Sequence, residues 1–204
     1  MKKIKIVDLF AGCGGLSQGF KSSGASIVAS VEWDSACVAT LHANSDYSHT
    51  IYKTDIRAYD NYLSCDAGLL LKANCDPIDG IIGGPPCQAY SLAGRIRCPD
   101  GMRDDYRNYL FEAYIEVLKS IQPKFFVFEN VVGMLSAQPG GISVRERLYE
   151  GFELAGFSIP QIDKRIVYDL ADFGGPQYRR RVILFGVNKS QCLDHSEKVE
   201  KFYN

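Results

Sequence analysis

The chain has 204 residues, 46% of them hydrophobic, and its 23 basic and 24 acidic side chains leave a formal net charge of −1. That length is enough for one domain with an ample core, and the charge balance speaks against a complete, strongly basic nucleic-acid-binding protein. The seven cysteines (13, 37, 65, 75, 87, 98 and 192) are odd in number and lack metal-ligand spacing. This excludes a disulfide framework and a structural metal, and it points to a reducing compartment, the cytoplasm. No signal peptide, membrane-spanning run or internal repeat is present.

In chain order, the first element is a short β-rich run, Lys3 to Phe10, with Ile4, Ile6, Val7 and Leu9. It leads into Asp8-Leu9-Phe10-Ala11-Gly12-Cys13-Gly14-Gly15, after which Leu16 to Phe20 reads as the opening of a helix. Strand, glycine turn and helix form an architecture for holding a nucleotide-like ligand, because glycines let it approach the backbone closely. A second strand, Ser26 to Val31, ends in Glu32. A carboxylate about 20 residues beyond the turn, at the next strand tip, is placed to accept hydrogen bonds from a ribose. Another acidic tip follows at Thr54-Asp55-Ile56. The spacing Gly12-x-Gly14-Gly15 departs from G-x-G-x-x-G, and no basic residue is placed to meet a pyrophosphate. This favours a nucleoside ligand without phosphates, such as S-adenosylmethionine, over NAD. The run Ser64 to Asn74 is too short to span a membrane and reads as part of a helix.

The apolar run Ile78 to Ile82 ends in Gly83-Gly84-Pro85-Pro86-Cys87-Gln88, a buried strand that stops at its carboxyl edge. Two prolines stiffen the loop that carries the Cys87 thiol. A nucleophile and a buried structural cysteine are equally compatible with this segment alone. Leu92 to Arg107 lacks hydrophobic periodicity, contains Arg95, Arg97, Arg103 and Arg107, and reads as a long loop, of the kind that is either a functional lid or disordered. Phe111 to Ile121 has helical spacing. Phe125 to Phe128 reads as a buried strand ending in Glu129-Asn130-Val131, and the carboxylate behind it is a candidate for a raised pKa and proton transfer. Leu148 to Phe157 reads as a further helix closed by Gly156. Ile166-Val167-Tyr168 is expected to pair as an antiparallel hairpin with a strand from Val182 to Val187. Just before that strand, Gln177-Tyr178-Arg179-Arg180-Arg181 puts Arg179 and Arg181 on one face and Arg180 on the other, which suits an anionic or carbonyl-rich target. Residues 189–204 read as a polar tail.

Taken together, these motifs resemble the catalytic core of the cytosine-C5 DNA methyltransferases. The match is ordered and runs from about residue 4 to 188. It comprises the turn Asp8 to Phe20, Glu32-Trp33-Asp34, Thr54-Asp55-Ile56, Pro85-Pro86-Cys87-Gln88, Asp105-x-Arg107-x-x-Leu110-Phe111, Glu129-Asn130-Val131 and Gln177-x-Arg179-x-Arg181. The resemblance implies an α/β, Rossmann-like methyltransferase fold with a mostly parallel sheet, helices on both faces and the late antiparallel hairpin. It also implies methyl transfer from S-adenosylmethionine to C5 of a cytosine flipped out of double-stranded DNA. In that reading Cys87 adds to C6, Glu129 holds the N3 edge, and Arg179 and Arg181 hold the base carbonyl and nearby backbone. Asp8, Phe10, Ala11, Gly12, Gly14, Gly15, Leu16, Glu32, Trp33, Asp55, Ile56, Pro85 and Leu110 line the cofactor, and Gln88, Ser91, Arg95 and Arg97 meet DNA. No metal is implied. The family normally continues into a target-recognition domain and an Asn-Ser-Val segment. The expectation is therefore a core of residues 1–188 with a tail of 189–204 leading toward that missing part, supplied by the same chain or a second polypeptide. The alternatives are a cofactor-binding subunit or fragment inactive alone, and an RNA cytosine-C5 methyltransferase.

Overall fold

The computed structural model describes residues 3–44, 49–57, 71, 77–86, 110–138 and 141–203. The chain divides into two compact units, Met1–Gly84 with Ala113–Phe126, and Pro85–Glu112 with Val127–Asn204.

The first unit holds strands β1 (Lys5–Leu9), β2 (Ser26–Glu32), β3 (Thr50–Lys53) and β4 (Gly80–Gly83), with helices α1 (Gly15–Ser22) and α2 (Ser35–Asn44) between the first three. The strand order is β3-β2-β1-β4 and every pairing is parallel. Parallel strands buried on both faces read as continuous apolar runs. The segments Ile6 to Leu9 and Gly80 to Gly83 are buried at every position. Gly83 is required by close approach, since a Cβ there would lie 2.4 Å from the Leu9 carbonyl oxygen. Helix α3 (Leu110–Ile121) lies mostly in this unit. It buries Tyr114, Ile115, Val117 and Leu118, and Tyr114 meets Phe126 edge-on at 6.1 Å between ring centroids.

In the second unit the later part of strand β5 (Phe125–Val131) neighbours β8 (Arg180–Asn188), which also neighbours β6 (Phe157–Ser158). Strand β7 (Val167–Asp169) pairs antiparallel with β8, with Val167 opposite Val182 and Tyr168 opposite Arg181. The expected antiparallel pairing is present, with the strand running over 167–169 and Ile166 in the 3-10 turn before it. Helix α4 (Val144–Leu154) begins four residues before the expected Leu148 and ends before Gly156. Ser143 accepts the backbone N–H of Glu146, a cap that fixes this earlier start. Its buried Val144, Leu148 and Phe152 recur every fourth residue, and Phe152 meets Phe128 edge-on at 5.7 Å. Within the segment read as a polar tail, His195–Tyr203 forms helix α5. Its Val199 is buried, Phe202 stacks on Phe185 at 4.7 Å, and the Tyr203 hydroxyl donates to the Ile183 carbonyl while accepting the Phe185 N–H.

Candidate active site

In the first unit the turn after β1 is held by a small set of hydrogen bonds. Gly12 and Gly14 adopt positive φ (55° and 88°), and so does Phe10 at 55°. A phenylalanine in the left-handed region is strained, and such strain collects at functional sites. The Glu32 carboxylate organises the far side. Its Oε2 accepts the Gly12 N–H and its Oε1 accepts the N–H groups of Trp33 and Asp34, each at 2.8 Å. Glu32 thereby joins the glycine turn to the tip of β2, where it is 8% exposed. Asp34 then caps α2 by accepting the N–H groups of Ala36 and Cys37.

Asp8 is buried at 1% exposure, and the Ser17 hydroxyl donates to its Oδ2 at 2.6 Å, closing the turn from strand to helix. Its Oδ1 is buried and has no hydrogen-bond partner among the described residues. Burial pushes the Asp8 carboxyl up to about 7, opposed by the Ser17 hydrogen bonds and reinforced by the charge of Glu32. Trp33 is 62% exposed at the strand tip, so it does not pack in the core. Ala11 and Ile56 are buried, while Phe10 and Leu16 are half-buried. Asp55 is clamped by Arg57 through Nη2–Oδ2 at 2.5 Å and Nε–Oδ1 at 3.1 Å, and these contacts hold its carboxyl below the usual range.

The second unit brings together three separated segments. Arg181, near the start of β8, places its Nε 2.9 Å from Oε1 of Glu129 near the end of β5, with both side chains 24% exposed. Beside Glu129, the buried Asn130 donates its Nδ2–H to the Pro85 carbonyl at 3.1 Å and accepts the Val131 N–H at 2.8 Å. Pro85, two positions before Cys87 in the sequence, is thus tied to the strand that carries Glu129. Sequence reasoning gave Asn130 no role. An amide following the carboxylate at a strand tip was the available signal.

Arg181, rather than Arg179, meets Glu129. Arg179 is exposed, and its backbone N–H is taken by Asp169 at 2.9 Å. Pro85 and Leu110 are buried, Leu110 at the first position of α3. Cys87, Gln88, Ser91, Arg95 and Arg97, with the rest of the expected 92–107 loop, lie outside the described residues, as does the expected helix at 64–74 except Leu71. Among the described residues no cluster of three or more His, Cys, Asp or Glu side chains could hold a metal, and no helix is long and apolar enough to cross a membrane.

A parallel sheet with a glycine turn after its first strand and an acidic tip on its second defines an α/β domain of the nucleotide-binding type. A solved DNA modification methyltransferase candidate encoded within an E. coli prophage superposes with a TM-score of 0.72 at 31% identity, over 93% of this chain and 48% of that one. The chain belongs to the C-5 cytosine-specific DNA methylase family, whose sequence model matches residues 4–203. Among curated relatives it is 40% identical to the type II methyltransferase M.NgoPII of Neisseria gonorrhoeae, over 91% of this chain and 48% of that protein. It is 34% identical to the type II methyltransferase M.Bpa9945I of Bacillus paralicheniformis, over 90% of this chain and 54% of that protein. The chain therefore spans about half the length of these relatives.

Proposed function

We propose that the chain carries the catalytic core of a DNA cytosine-C5 methyltransferase of the restriction-modification kind, acting in the reducing cytoplasm. The observation that carries the reading is the second-unit cluster, in which Arg181 pairs with Glu129 while Asn130 holds Pro85, two residues from Cys87. Cytosine C5 is too electron-poor to attack a methylsulfonium. In this reading the Cys87 thiolate adds to C6, making C5 nucleophilic, and covalent catalysis replaces one hard step with easier ones. The addition loads negative charge onto the ring. Glu129 meets that change at the N3 edge, oriented by Arg181, whose remaining donors serve the base carbonyl. Loss of the C5 proton and expulsion of Cys87 leave 5-methylcytosine. The target base must leave the duplex stack, and Gln88, Ser91, Arg95, Arg97 and Arg179 are the proposed contacts to the surrounding DNA.

S-adenosylmethionine, when bound, supplies the electrophilic methyl group. The first unit's turn fits such a nucleoside ligand. A Cβ at Gly12 or Gly15 would meet nothing within 4 Å, so the space beside the turn is open. Glu32 has its carboxylate fixed by three backbone N–H groups and keeps acceptor capacity on Oε2 for a ribose hydroxyl. Phe10, Trp33 and Ile56 are proposed against the adenine, Asp55 at its amino group, and Asp8, Ala11, Gly14, Leu16, Pro85 and Leu110 as the remaining lining. Target selection is assigned to sequence outside this region, and no comparison speaks for a separate second polypeptide. Transfer of a labelled methyl group to duplex DNA, by the chain expressed with its flanking coding sequence, tests the reading. Label in 5-methylcytosine supports it, and label in adenine or in protein alone refutes it.

A further inference from the structure

Cys13 and Cys37 take no part in the chemistry above, yet the fold brings their segments together. Cys13 is exposed between the two positive-φ glycines of the turn, and Cys37 stands half-buried in the first turn of α2. Two independent contacts join these segments. On one side, Glu32 accepts the N–H of Gly12, next to Cys13, and that of Asp34, whose own carboxylate accepts the Cys37 N–H. On the other, a Cβ on Gly14 would lie 2.9 Å from Cδ2 of Leu41, which is one helical turn beyond Cys37 and on the same face. Cys13, Gly14 and Leu41 also line one cavity of about 430 Å³. Gly12 is thus bridged through Glu32 to Asp34 at the start of α2, and Gly14 lies against Leu41 of α2 itself.

We propose that Cys13 and Cys37 form a reversible dithiol–disulfide pair, a site of covalent modification that closes the glycine turn onto α2 when a small-molecule disulfide is present. The Cys13 thiolate attacks the small disulfide and releases one thiol, forming a mixed disulfide. Cys37 then attacks the Cys13 sulfur and expels the second thiol. The protein dithiol loses two electrons and two protons, and the small disulfide becomes two thiols. The order follows from access, since Cys13 is exposed. Burial pushes the Cys37 thiol up to about 11, with Asp34 and Cys13 as further causes, so Cys37 is the slower, resolving partner. The consequence for ligand binding rests on the cofactor reading given above. A covalent link from Cys13 to α2 constrains the turn beside Glu32, so oxidation weakens S-adenosylmethionine binding.

The test treats the full chain with oxidised glutathione and maps its peptides. The expected result is a reductant-sensitive cross-linked pair containing Cys13 and Cys37, with no retained glutathione on Cys13. Cys37→Ser should instead keep glutathione on Cys13. Retention of glutathione on Cys13 in the wild type, or pairing of either cysteine elsewhere, overturns the proposal. Calorimetry on the mapped disulfide form should show binding about tenfold weaker than in the reduced form, comparable to losing one charge-assisted hydrogen bond, and a reductant should restore it. Equal affinity of the two forms overturns the switching role. Absence of binding by the reduced chain refutes the cofactor reading, while the peptide map decides the disulfide independently.

Discussion

The two units build their sites in different ways. In the first, the turn between Asp8 and Ser17 and its brace Glu32 come from one strand–helix–strand run, and most bonds end on backbone N–H groups. In the second, Pro85, Glu129 with Asn130, and Arg181 come from three segments far apart in sequence, joined by side-chain contacts. A site on local backbone tolerates side-chain change better than one assembled from distant side chains. Substitutions in the second unit should therefore cost chemistry, and those in the first should cost binding.

The sharpest contrast is at the nucleophile. Cys87→Ser should abolish methyl transfer while S-adenosylmethionine binding, measured by calorimetry, persists. Retained turnover would remove the second unit from the chemistry. Glu129→Gln comes next and should lower the single-turnover rate about 10²- to 10⁴-fold, the span typical of a lost proton-transfer group. Cofactor affinity should be unchanged, and a loss confined to binding would exchange the roles of the two units.

Asn130→Ala removes the donor to a buried carbonyl and should lower unfolding free energy by about 1–3 kcal/mol in urea titration. Glu32→Ala should weaken S-adenosylmethionine binding by about the same 1–3 kcal/mol with little effect on the chemical step once cofactor is saturating.

The last effect concerns pH. Asp8 titrates near 7 when folded and at 3.8 in the unfolded chain. Its protonated form is therefore favoured by folding. That contribution is complete below 3.8 and is lost as pH rises toward about 7. Glu32 and Tyr114 share its electrostatic surroundings, and Ser17 bonds it directly. The wild-type melting temperature should thus decline more between pH 5 and 7 than that of Asp8→Asn. Parallel profiles would mean that Asp8 is ionised throughout.

The same contrast governs what could be read from the sequence. The β1–turn–α1 unit, the 110–121 helix and the hairpin were legible because apolar runs and glycines act locally. Helix α2 was not, since only Val38 and Leu41 are buried and the apolar stripe is narrow. Helix α5 was hidden by its charge, and its packing rests on Val199, Phe202 and Tyr203. The residue types of the site were legible, but their partners were not. Nothing local says that Arg181 rather than Arg179 meets Glu129, that Asn130 reaches Pro85, that Arg57 clamps Asp55, or that Phe10 adopts positive φ. Each depends on strand register or chain crossing that a linear pattern does not encode.

Covalent trapping shows whether the second unit performs covalent chemistry on cytosine. The protein, expressed with its flanking coding sequence, is incubated with S-adenosylmethionine and duplex DNA containing 5-fluorocytosine, and the adduct is mapped by mass spectrometry. The predicted result is a stable protein–DNA adduct on Cys87 that disappears in Cys87→Ser. An adduct on another cysteine, or methylated DNA formed without any adduct at Cys87, would rule out Cys87 as the nucleophile.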